Sequence, residues 1–415
     1  MLVLRMRRPS SFMWVFYLFA ALLIWQGLVS LFGGARFLAY VRREMNDAPA
    51  RFTPFASIIA PCRGLDQGLR DNLDALFRQD YPAYEIIFVT DNAADPALAV
   101  IEEARSEWSR KTQTRTRVLI AGAATAGGQK IHNLRAGIEQ VDAASEVLVF
   151  VDTDARPRPS WLASLVAPLA DERVGATTGY RWFIPVKGGL ASRLRSVWNA
   201  SIASSLGERG DRNFCWGGST AIRLRTFQKL DMLEQWRGAL SDDFALMRAL
   251  RRERLPIHFA PDCLTASHED CGYGELFEFT TRQLKITRVY APRFWQAVLA
   301  GSFLFVLVFF GGLALVITRA ALSLSYLLPL ALILVIYALG VAKAALRWRA
   351  VSLPLAALSA EMRSDLPAHL LLWPLAQPLY LYNALCALGS RRIRWRGIAY
   401  ELKSPTETVI IEADR

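Results

Sequence analysis

Hydrophobic positions divide the chain into a central stretch of short apolar runs and flanking regions of long ones. Between about residue 36 and Trp295, short apolar runs alternate with segments of helical periodicity, which is the pattern of βαβ units. The pattern predicts strands at residues 55–60, 85–90, 118–121 and 146–151, and helices at 67–78, 96–108, 130–140, 159–169 and 242–252. This order predicts an α/β fold with a doubly wound, Rossmann-like sheet of the nucleotide-binding kind.

Long apolar stretches flank this pattern at residues 12–31, 298–318, 322–342 and 367–388. Each is long enough for the roughly 20 residues that cross about 30 Å of hydrocarbon as a helix. The first follows Arg5, Arg7 and Arg8, as a cleaved signal peptide would. Its apolar run exceeds the signal core of about 7 to 15 residues and lacks a small-residue cleavage pattern, so we predict a membrane anchor.

The fourth stretch contains Pro374, Gln377 and Pro378, which leaves both a membrane span and a re-entrant or interfacial hairpin open. The predicted organisation is an anchor at 9–34, a catalytic domain at 35–297, a membrane domain at 298–390 and a basic, then polar, tail at 391–415.

Two amphipathic stretches inside the central region, 189–206 and 275–290, carry apolar residues together with Arg and Lys. Such helices lie on a membrane surface or pack on a protein core, and the pattern allows both. The second runs almost directly into a long apolar stretch, which favours an interfacial position.

The composition agrees with a protein partly in lipid, since 53% of the residues are hydrophobic. The net charge of +12 comes largely from arginines beside apolar segments, such as Arg347, Arg349 and those from 391 to 396. This placement indicates contact with anionic lipid head groups rather than nucleic acid, and it favours an integral inner-membrane protein whose catalytic domain faces the cytoplasm. Five cysteines without a CxxC spacing also fit a reducing compartment.

Acidic residues follow two of the predicted strands. Asp152 and Asp154 come directly after the strand at 146–151, where α/β sheets gather their ligands. Two carboxylates together with substrate phosphates suit Mg²⁺, which would neutralise a diphosphate leaving group. Asp91 ends the strand at 85–90 and either binds a nucleoside or only organises the turn with Asn92.

A second acidic pair, Asp242 and Asp243, opens a predicted helix. Adjacent carboxylates repel, so one can have a raised pKa and remove a proton from an acceptor hydroxyl. An acidic first turn that complements the helix dipole is the structural alternative, and it suits Asp242. We therefore predict Asp243 as the base and Asp242 as its support.

Other residues are positioned to contact a nucleotide or sugar. Arg63 follows the first strand and Lys130 opens a helix after two glycines, although both could instead be solvated. Gly218, in the turn 216–219, would allow the backbone to approach a sugar, or would simply form a turn. The sequence His268-Glu269-Asp270 is a weak metal candidate because no second histidine lies at ligand spacing.

Taken in order, these segments resemble the family 2 type of inverting glycosyltransferases with a GT-A fold, particularly the ceramide glucosyltransferase branch, family 21. The resemblance covers nearly the whole chain. It rests on the anchor, the ordered aspartates, and four further pieces: Pro61-Cys62-Arg63-Gly64-Leu65-Asp66, Gln79-Asp80-Tyr81-Pro82 before Tyr84-Glu85, Trp395-Arg396-Gly397, and Tyr400.

The resemblance implies that Asp91 holds uridine, that Asp152 and Asp154 bind the diphosphate with its Mg²⁺ or Mn²⁺, and that Asp243 is the catalytic base. It also implies direct attack by the acceptor hydroxyl, with inversion at the anomeric carbon. No nucleic-acid partner is expected.

The family also has a motif (Gln or Arg)-x-x-Arg-Trp, and the matching residues here include Arg282, Gln283 and Lys285, which we predict to bind substrate. Lys285 lacks the bidentate fork of arginine, and Ile286 cannot stack as tryptophan does. Arg288 or Tyr290 could compensate from the next turn. The acceptor is therefore left open among ceramide, diacylglycerol, hopanoids and other membrane lipids.

The sequence as a whole predicts a membrane-bound hexosyltransferase that moves one sugar, glucose from UDP-glucose, onto a lipid hydroxyl. A processive polysaccharide synthase uses the same motifs but needs a translocation pore, for which three or four apolar segments are few. The alternative that is not an enzyme is a catalytically silent, lipid-binding scaffold.

Overall fold

The computed structural model describes residues 11–47 and 51–413, so Arg5, Arg7 and Arg8 lie outside the described part. A long N-terminal helix, α1 (Ser11–Asn46), leads into an α/β domain, which is followed by a helical region and a small C-terminal sheet.

The central sheet has seven strands in the order β3-β2-β1-β4-β6-β5-β7. Neighbours are parallel except β6, which is antiparallel to both β4 and β5. The strands are β1 (Ala56–Pro61), β2 (Tyr84–Thr90), β3 (Arg115–Ile120), β4 (Val147–Val151), β5 (Ala176–Ile184), β6 (Ser219–Arg223) and β7 (Ile257–His268). The α/β prediction is confirmed, with the first four strands near their predicted positions.

Helices cover both faces of this sheet, which explains why β2 and β4 are buried along their whole length and are largely apolar, with Glu85 and Thr90 of β2 as the exceptions. They are α2 (Leu69–Phe77), α3 (Ala97–Trp108), α4 (Gln129–Ile138), α5 (Trp161–Val166), α6 (Leu190–Ala203), α7 (Leu224–Lys229), α8 (Met232–Gln235), α9 (Asp242–Arg252) and α10 (Tyr273–Tyr290). On β1, Ile58 packs in the core under α2, α3 and α5, while its neighbour Ile59 packs in the core under α4 and α9.

Three helices among the described residues are long and apolar enough to cross a membrane. They are α1, the continuous helix Pro292–Ala321, and α13 (Leu327–Val351). The second consists of α11 (Pro292–Phe305), a π-helical turn (Val306–Phe310) and α12 (Gly311–Ala321). α1 continues past the predicted domain boundary at residue 34, because its C-terminal part packs Phe37 and Val41 into the same core as Phe259 of the α/β domain.

The fourth apolar stretch consists of two shorter helices, α14 (Ser359–Leu371) and α15 (Trp373–Gly389). One face of α15 packs on α6, α10 and α11, and the opposite face exposes Leu375, Tyr382, Leu385 and Leu388. At 13 and 17 residues, α14 and α15 are each shorter than the roughly 20 residues of a single span, and both the span and the interfacial hairpin stay predictions. α6 is buried between β5, α14 and α15, as a core helix is, whereas α10 exposes Tyr273 and Phe277.

The C-terminal segment, expected to be a tail, is a folded antiparallel sheet of β8 (Arg392–Trp395), β9 (Ile398–Ser404) and β10 (Glu407–Ala413). Arg396 and Gly397 both have positive φ, as a two-residue hairpin between twisted strands requires. Ile393, Tyr400 and Leu402 pack against Leu240 and Tyr290, so this sheet is fixed to the α/β domain. Its alternating apolar residues, too few for a core of their own, explain why it docks there.

Candidate active site

A cavity of about 540 Å³ opens at the carboxyl ends of β1 and β4, and we call it the catalytic cavity. Both acidic pairs reach it. Its charged lining comprises Arg63, Asp66, Lys130, Asp152, Asp154, Arg181, Arg195, Asp242, Asp243, Glu269, Asp270, Glu275, Glu278, Arg282 and Arg396. Residues far apart in sequence thus form one site of mixed charge.

Lys130, at the start of α4, connects the two acidic pairs. Its Nζ lies 2.7 Å from Asp152 Oδ1 and 3.2 Å from Asp242 Oδ1. Burial disfavours the charged ammonium, but the two carboxylates outweigh this effect and raise the pKa of Lys130 above its ordinary value. Lys130 is therefore a permanent cation in the site, which is more than its predicted role of contacting a phosphate.

Arg181, in β5, contacts both acids of the first pair through one atom. Its Nη2 lies 3.2 Å from Asp152 Oδ2 and 2.9 Å from Asp154 Oδ1. Burial opposes ionisation of Asp152, but Lys130 and Arg181 together lower its pKa. The Asp152 carboxylate is thus held charged, and both carboxylates are directed at one positive group.

The predicted metal site can be compared with the way Asp152 and Asp154 meet at Arg181. The described residues contain no cluster of three or more His, Cys, Asp or Glu side chains at metal-binding distances. Asp152 and Asp154 nevertheless share one cationic partner, so two hard oxygen ligands can face a single divalent ion that takes its other ligands from phosphate and water. The pair fits such an ion if the Arg181 guanidinium moves aside.

The second acidic pair lies at the start of α9. Asp243 Oδ1 accepts hydrogen bonds from the Ser241 hydroxyl and from the Phe244 amide at 2.7 Å, while its Oδ2 makes none with the described residues. Burial, opposed by Lys130 and reinforced by the carboxylates of Asp243 and Asp152, raises the pKa of Asp242 to about 6. The two neighbours thus differ: Asp242 is buried and paired with Lys130, and Asp243 is oriented with one oxygen free.

The loop before α9 is held by Tyr290, at the end of α10. The Tyr290 hydroxyl accepts hydrogen bonds from the Leu240 amide at 2.8 Å and from the Ser241 amide at 3.3 Å. Tyr290 therefore positions the acidic pair from outside the cavity and does not replace a motif residue within it.

Asp91 follows β2 as predicted but does not line the catalytic cavity. It forms an ion pair with Arg63, accepts a hydrogen bond from Asn92 and is only 7% exposed. Arg63 lines the cavity and also donates to the Arg396 carbonyl at 2.9 Å. Asp91 thus touches the site through Arg63, while nearby Asp95 organises the turn by accepting from the Ala97 amide at 2.8 Å.

Gly218 does not face the cavity. A Cβ added at Gly218 would lie 2.2 Å from the Trp216 ring, so glycine is needed at this position for local packing. The glycine at the site is Gly217, where an added Cβ would lie 2.2 Å from Asp242 Oδ2 and 2.8 Å from Lys130 Nζ. The sequence located the correct turn but the wrong glycine.

The prediction that Lys285 contacts substrate is also corrected. Its side chain leaves the cavity and donates to the Arg392 carbonyl of β8 at 2.7 Å, because it lies on the face of α10 that packs on the C-terminal sheet. Arg282, Gln283 and Ile286 do line the cavity. Arg282 lies over the Trp395 ring at 5.4 Å, and burial lowers its pKa to about 10.

Several charged residues of the site were missed by the sequence reasoning. Arg181 had no signal, since a single arginine in a strand is unremarkable. Glu269, in the sequence weighed as a weak metal candidate, pairs with Arg195 at 2.9 Å, and burial raises its pKa. Arg396, for which the sequence predicted no role, forms an ion pair with Asp66. Arg288, the other candidate for compensation, instead donates to the carbonyls of Ala387 and Leu388.

The family model described as glycosyl transferase family 21 matches residues 18–408. The chain belongs to glycosyl transferase family 21. Family membership and the mixed seven-stranded sheet confirm the predicted GT-A fold and the predicted ceramide glucosyltransferase branch, and they make this protein a glycosyltransferase.

Among solved structures, this family 21 chain is similar to a mannosyltransferase from Pyrobaculum calidifontis in complex with GDP-mannose and Mn²⁺. The identity is 18% over 89% of this chain and 99% of the other, with a TM-score of 0.45. It is also similar to glucosyl-3-phosphoglycerate synthase from Mycobacterium tuberculosis in complex with Mn²⁺ and UDP-glucose, at 14% identity over 60% of this chain and 82% of the other, with a TM-score of 0.36.

Proposed function

We propose that this glycosyltransferase transfers one hexose, with glucose from UDP-glucose as the first candidate, to a hydroxyl of a membrane lipid such as ceramide. The observation that carries the proposal is that one cavity combines the paired charges with an apolar wall of Phe183, Trp198, Ile202 and Phe279. The helices α6 and α10, which supply most of this wall, pack on α15, and α10 also packs on α11. A lipid hydroxyl can therefore approach the acids without its chains leaving the apolar region.

The cations of the cavity suit a nucleoside diphosphate. Lys130, Arg181 and Arg396 are each paired with an acid here, and each can exchange that partner for a phosphate oxygen when the donor binds. Asp91 does not line the cavity and is paired with Arg63, so it would bind the uridine only once Arg63 releases its carboxylate. A divalent ion on Asp152 and Asp154, Mg²⁺ or Mn²⁺, would supply further positive charge to the leaving diphosphate.

Asp243 is proposed as the general base. Its Oδ1 is fixed by two hydrogen bonds, so Oδ2 can take the proton of an acceptor hydroxyl as that oxygen attacks the anomeric carbon. Asp242 stays paired with Lys130 and keeps the start of α9 in place. Attack opposite the leaving diphosphate inverts the anomeric configuration in one displacement.

The C-terminal sheet is proposed to replace the missing members of the family motif. Trp395 lies against Arg282, and Arg396 reaches the cavity from the same hairpin. An arginine and a tryptophan are thus available to the substrate although Lys285 and Ile286 stand at the motif positions. This substitution supports activity and argues against the silent scaffold.

We further propose that the catalytic domain faces the cytoplasm of an inner membrane. α1 and α13 run parallel, since Gly27 faces Leu339 and Gly34 faces Leu346. Both helices end toward the α/β domain, where α13 carries Lys343, Arg347 and Arg349, and such basic residues favour the cytoplasmic side.

The direct test is an assay of the purified full chain in nanodiscs with labelled UDP-glucose, ceramide or diacylglycerol, and Mg²⁺ or Mn²⁺. Mass spectrometry should detect a lipid heavier by one hexose, and chelation by EDTA should abolish it reversibly. Failure with every nucleotide sugar and lipid tested would contradict the proposal, and long polymer products would establish the polysaccharide synthase instead.

A further inference from the structure

A second cavity, of about 280 Å³, lies outside the active site, between the three membrane-length helices and the helices α6 and α15. We call it the membrane cavity. Residues of α1, α6, α11, α13 and α15 line it: Leu23, Gln26, Ser30, Val197, Ser201, Phe305, Ile336, Leu339, Lys343, Ala344, Arg347, Trp373 and Gln377, with several small residues. None of its lining residues lines the catalytic cavity.

Two cations one helical turn apart on α13 face this cavity. Lys343 Nζ donates to Ser30 Oγ at 2.5 Å, and Arg347 is only 5% exposed. Within residues 11–47 and 51–413, no carboxylate lies within 4.0 Å of either cation, and the Arg347 guanidinium makes no hydrogen bond. No acid lines the cavity, so these two like charges are uncompensated by the protein.

Cations held between membrane helices without an anionic partner are costly, and an anion that enters the cavity removes that cost. Polar groups on Gln26, Ser30 and Gln377 supply further hydrogen-bond donors for oxygen atoms. The chemistry of this end of the cavity therefore fits a phosphate group.

The depth of the cavity indicates where that phosphate comes from. Lys343 and Arg347 lie toward the ends of α1 and α13 that meet the α/β domain, since Trp348 and Val351 share a core with Phe37 and Val41. This is the level of lipid head groups rather than of the bilayer centre. The other walls, including Phe305, Ile336 and Leu339, are apolar and suit acyl chains.

We propose that the membrane cavity binds an anionic glycerophospholipid, with its phosphate held by Lys343 and Arg347. Basic pockets between membrane helices on the cytoplasmic side bind lipid head groups in this way. The site is separate from that of the acceptor: α6 stands between the two cavities, with Val197 and Ser201 facing one and Trp198 and Ile202 facing the other.

The test is native mass spectrometry of the delipidated full chain in detergent. It is titrated with phosphatidylglycerol, with phosphatidylcholine of the same acyl chains, and with inorganic phosphate alone. We expect phosphatidylglycerol to bind at least about tenfold more tightly than either of the other two. Equal affinity for phosphatidylcholine would overturn the charge argument, and equal affinity for inorganic phosphate would overturn the assignment to a lipid.

Variants locate the site. Lys343→Gln combined with Arg347→Gln should remove the preference for phosphatidylglycerol, whereas Arg349→Gln, an exposed basic residue of the same helix outside the cavity, should keep it. Gln26→Glu retains both cations and places a competing carboxylate in the cavity, so it should also weaken binding about tenfold even if the double variant does not fold. Unchanged binding in Gln26→Glu would contradict the proposal.

Discussion

The two cavities of this protein contain cations of the same types in opposite circumstances. In the catalytic cavity, Lys130 and Arg181 each contact two carboxylates. In the membrane cavity, Lys343 and Arg347 have no carboxylate within 4.0 Å among the described residues. The cations of the first site are paired with acids before any ligand enters, and those of the second gain an anionic partner only from outside the protein.

The difference indicates what each site does with its ligand. In a site whose cations are paired with acids, a side chain can release its neighbour during the reaction because it then gains a contact with substrate or metal. A site whose cations have no acidic partner is most stable when it keeps its bound anion, as a site for a structural lipid does.

The largest effect is expected for Asp243→Asn, which removes the proposed base and keeps the size of the side chain. Hexose transfer should fall by about 10² to 10⁴ in kcat, because proton removal by a positioned base contributes that much. Asp71→Asn is the matched control, since Asp71 also lies in the first turn of a helix but is exposed outside the cavity. Equal rates for the two variants would contradict the role of Asp243.

The contrast between the cavities is tested most directly by two lysines. Lys130→Met should lower the free energy of unfolding by roughly 3 kcal/mol, because it leaves Asp152 and Asp242 buried without their shared partner. Lys343→Met leaves no acid unpaired, so delipidated protein should unfold at an unchanged or higher temperature. Thermal unfolding in detergent measures both, with exposed Lys229→Met as the control. Equal losses of stability in Lys130→Met and Lys343→Met would contradict the contrast between the two cavities.

The balance of the catalytic cavity also predicts a pH dependence. Burial and its acidic neighbours, working against Lys130, raise the pKa of Asp242 to about 6, so this carboxyl becomes protonated as the pH falls below 6. Protonation weakens its pairing with Lys130, and kcat/KM should fall about tenfold for each pH unit below 6. Asp242→Asn should lower activity but abolish this limb of the profile. If the acidic limb persists in Asp242→Asn, the titrating group is not Asp242.

The smallest expected changes are in the steady-state constants of two α10 variants, at Arg282 and at Lys285. Arg282→Ala removes a cation of the cavity and its contact with Trp395, and it should raise KM roughly fivefold. Lys285→Ala removes only a hydrogen bond to the Arg392 carbonyl, so steady-state constants should change by less than about twofold. A larger effect of Lys285 than of Arg282 would restore Lys285 to the substrate site.

Local patterns were sufficient for part of this description. Short apolar runs predict the strands β1, β2 and β4, and α/β sheets gather ligands at the carboxyl ends of such strands. Asp152 and Asp154 could therefore be placed from the sequence, as could the helix that begins at Asp242. Uninterrupted apolar length likewise located the three membrane-length helices.

Only the tertiary structure decided which distant residues complete each site. Arg181 meets Asp152 because β5 enters the sheet beside the antiparallel β6, and Trp395 meets Arg282 because the C-terminal sheet docks on α10. The sequence determined the elements and the acids at their ends, because short-range periodicity and chain direction set both. The cation partners, the glycine that faces the site and the unpaired charges of the membrane cavity depend on long-range packing, which no local pattern records.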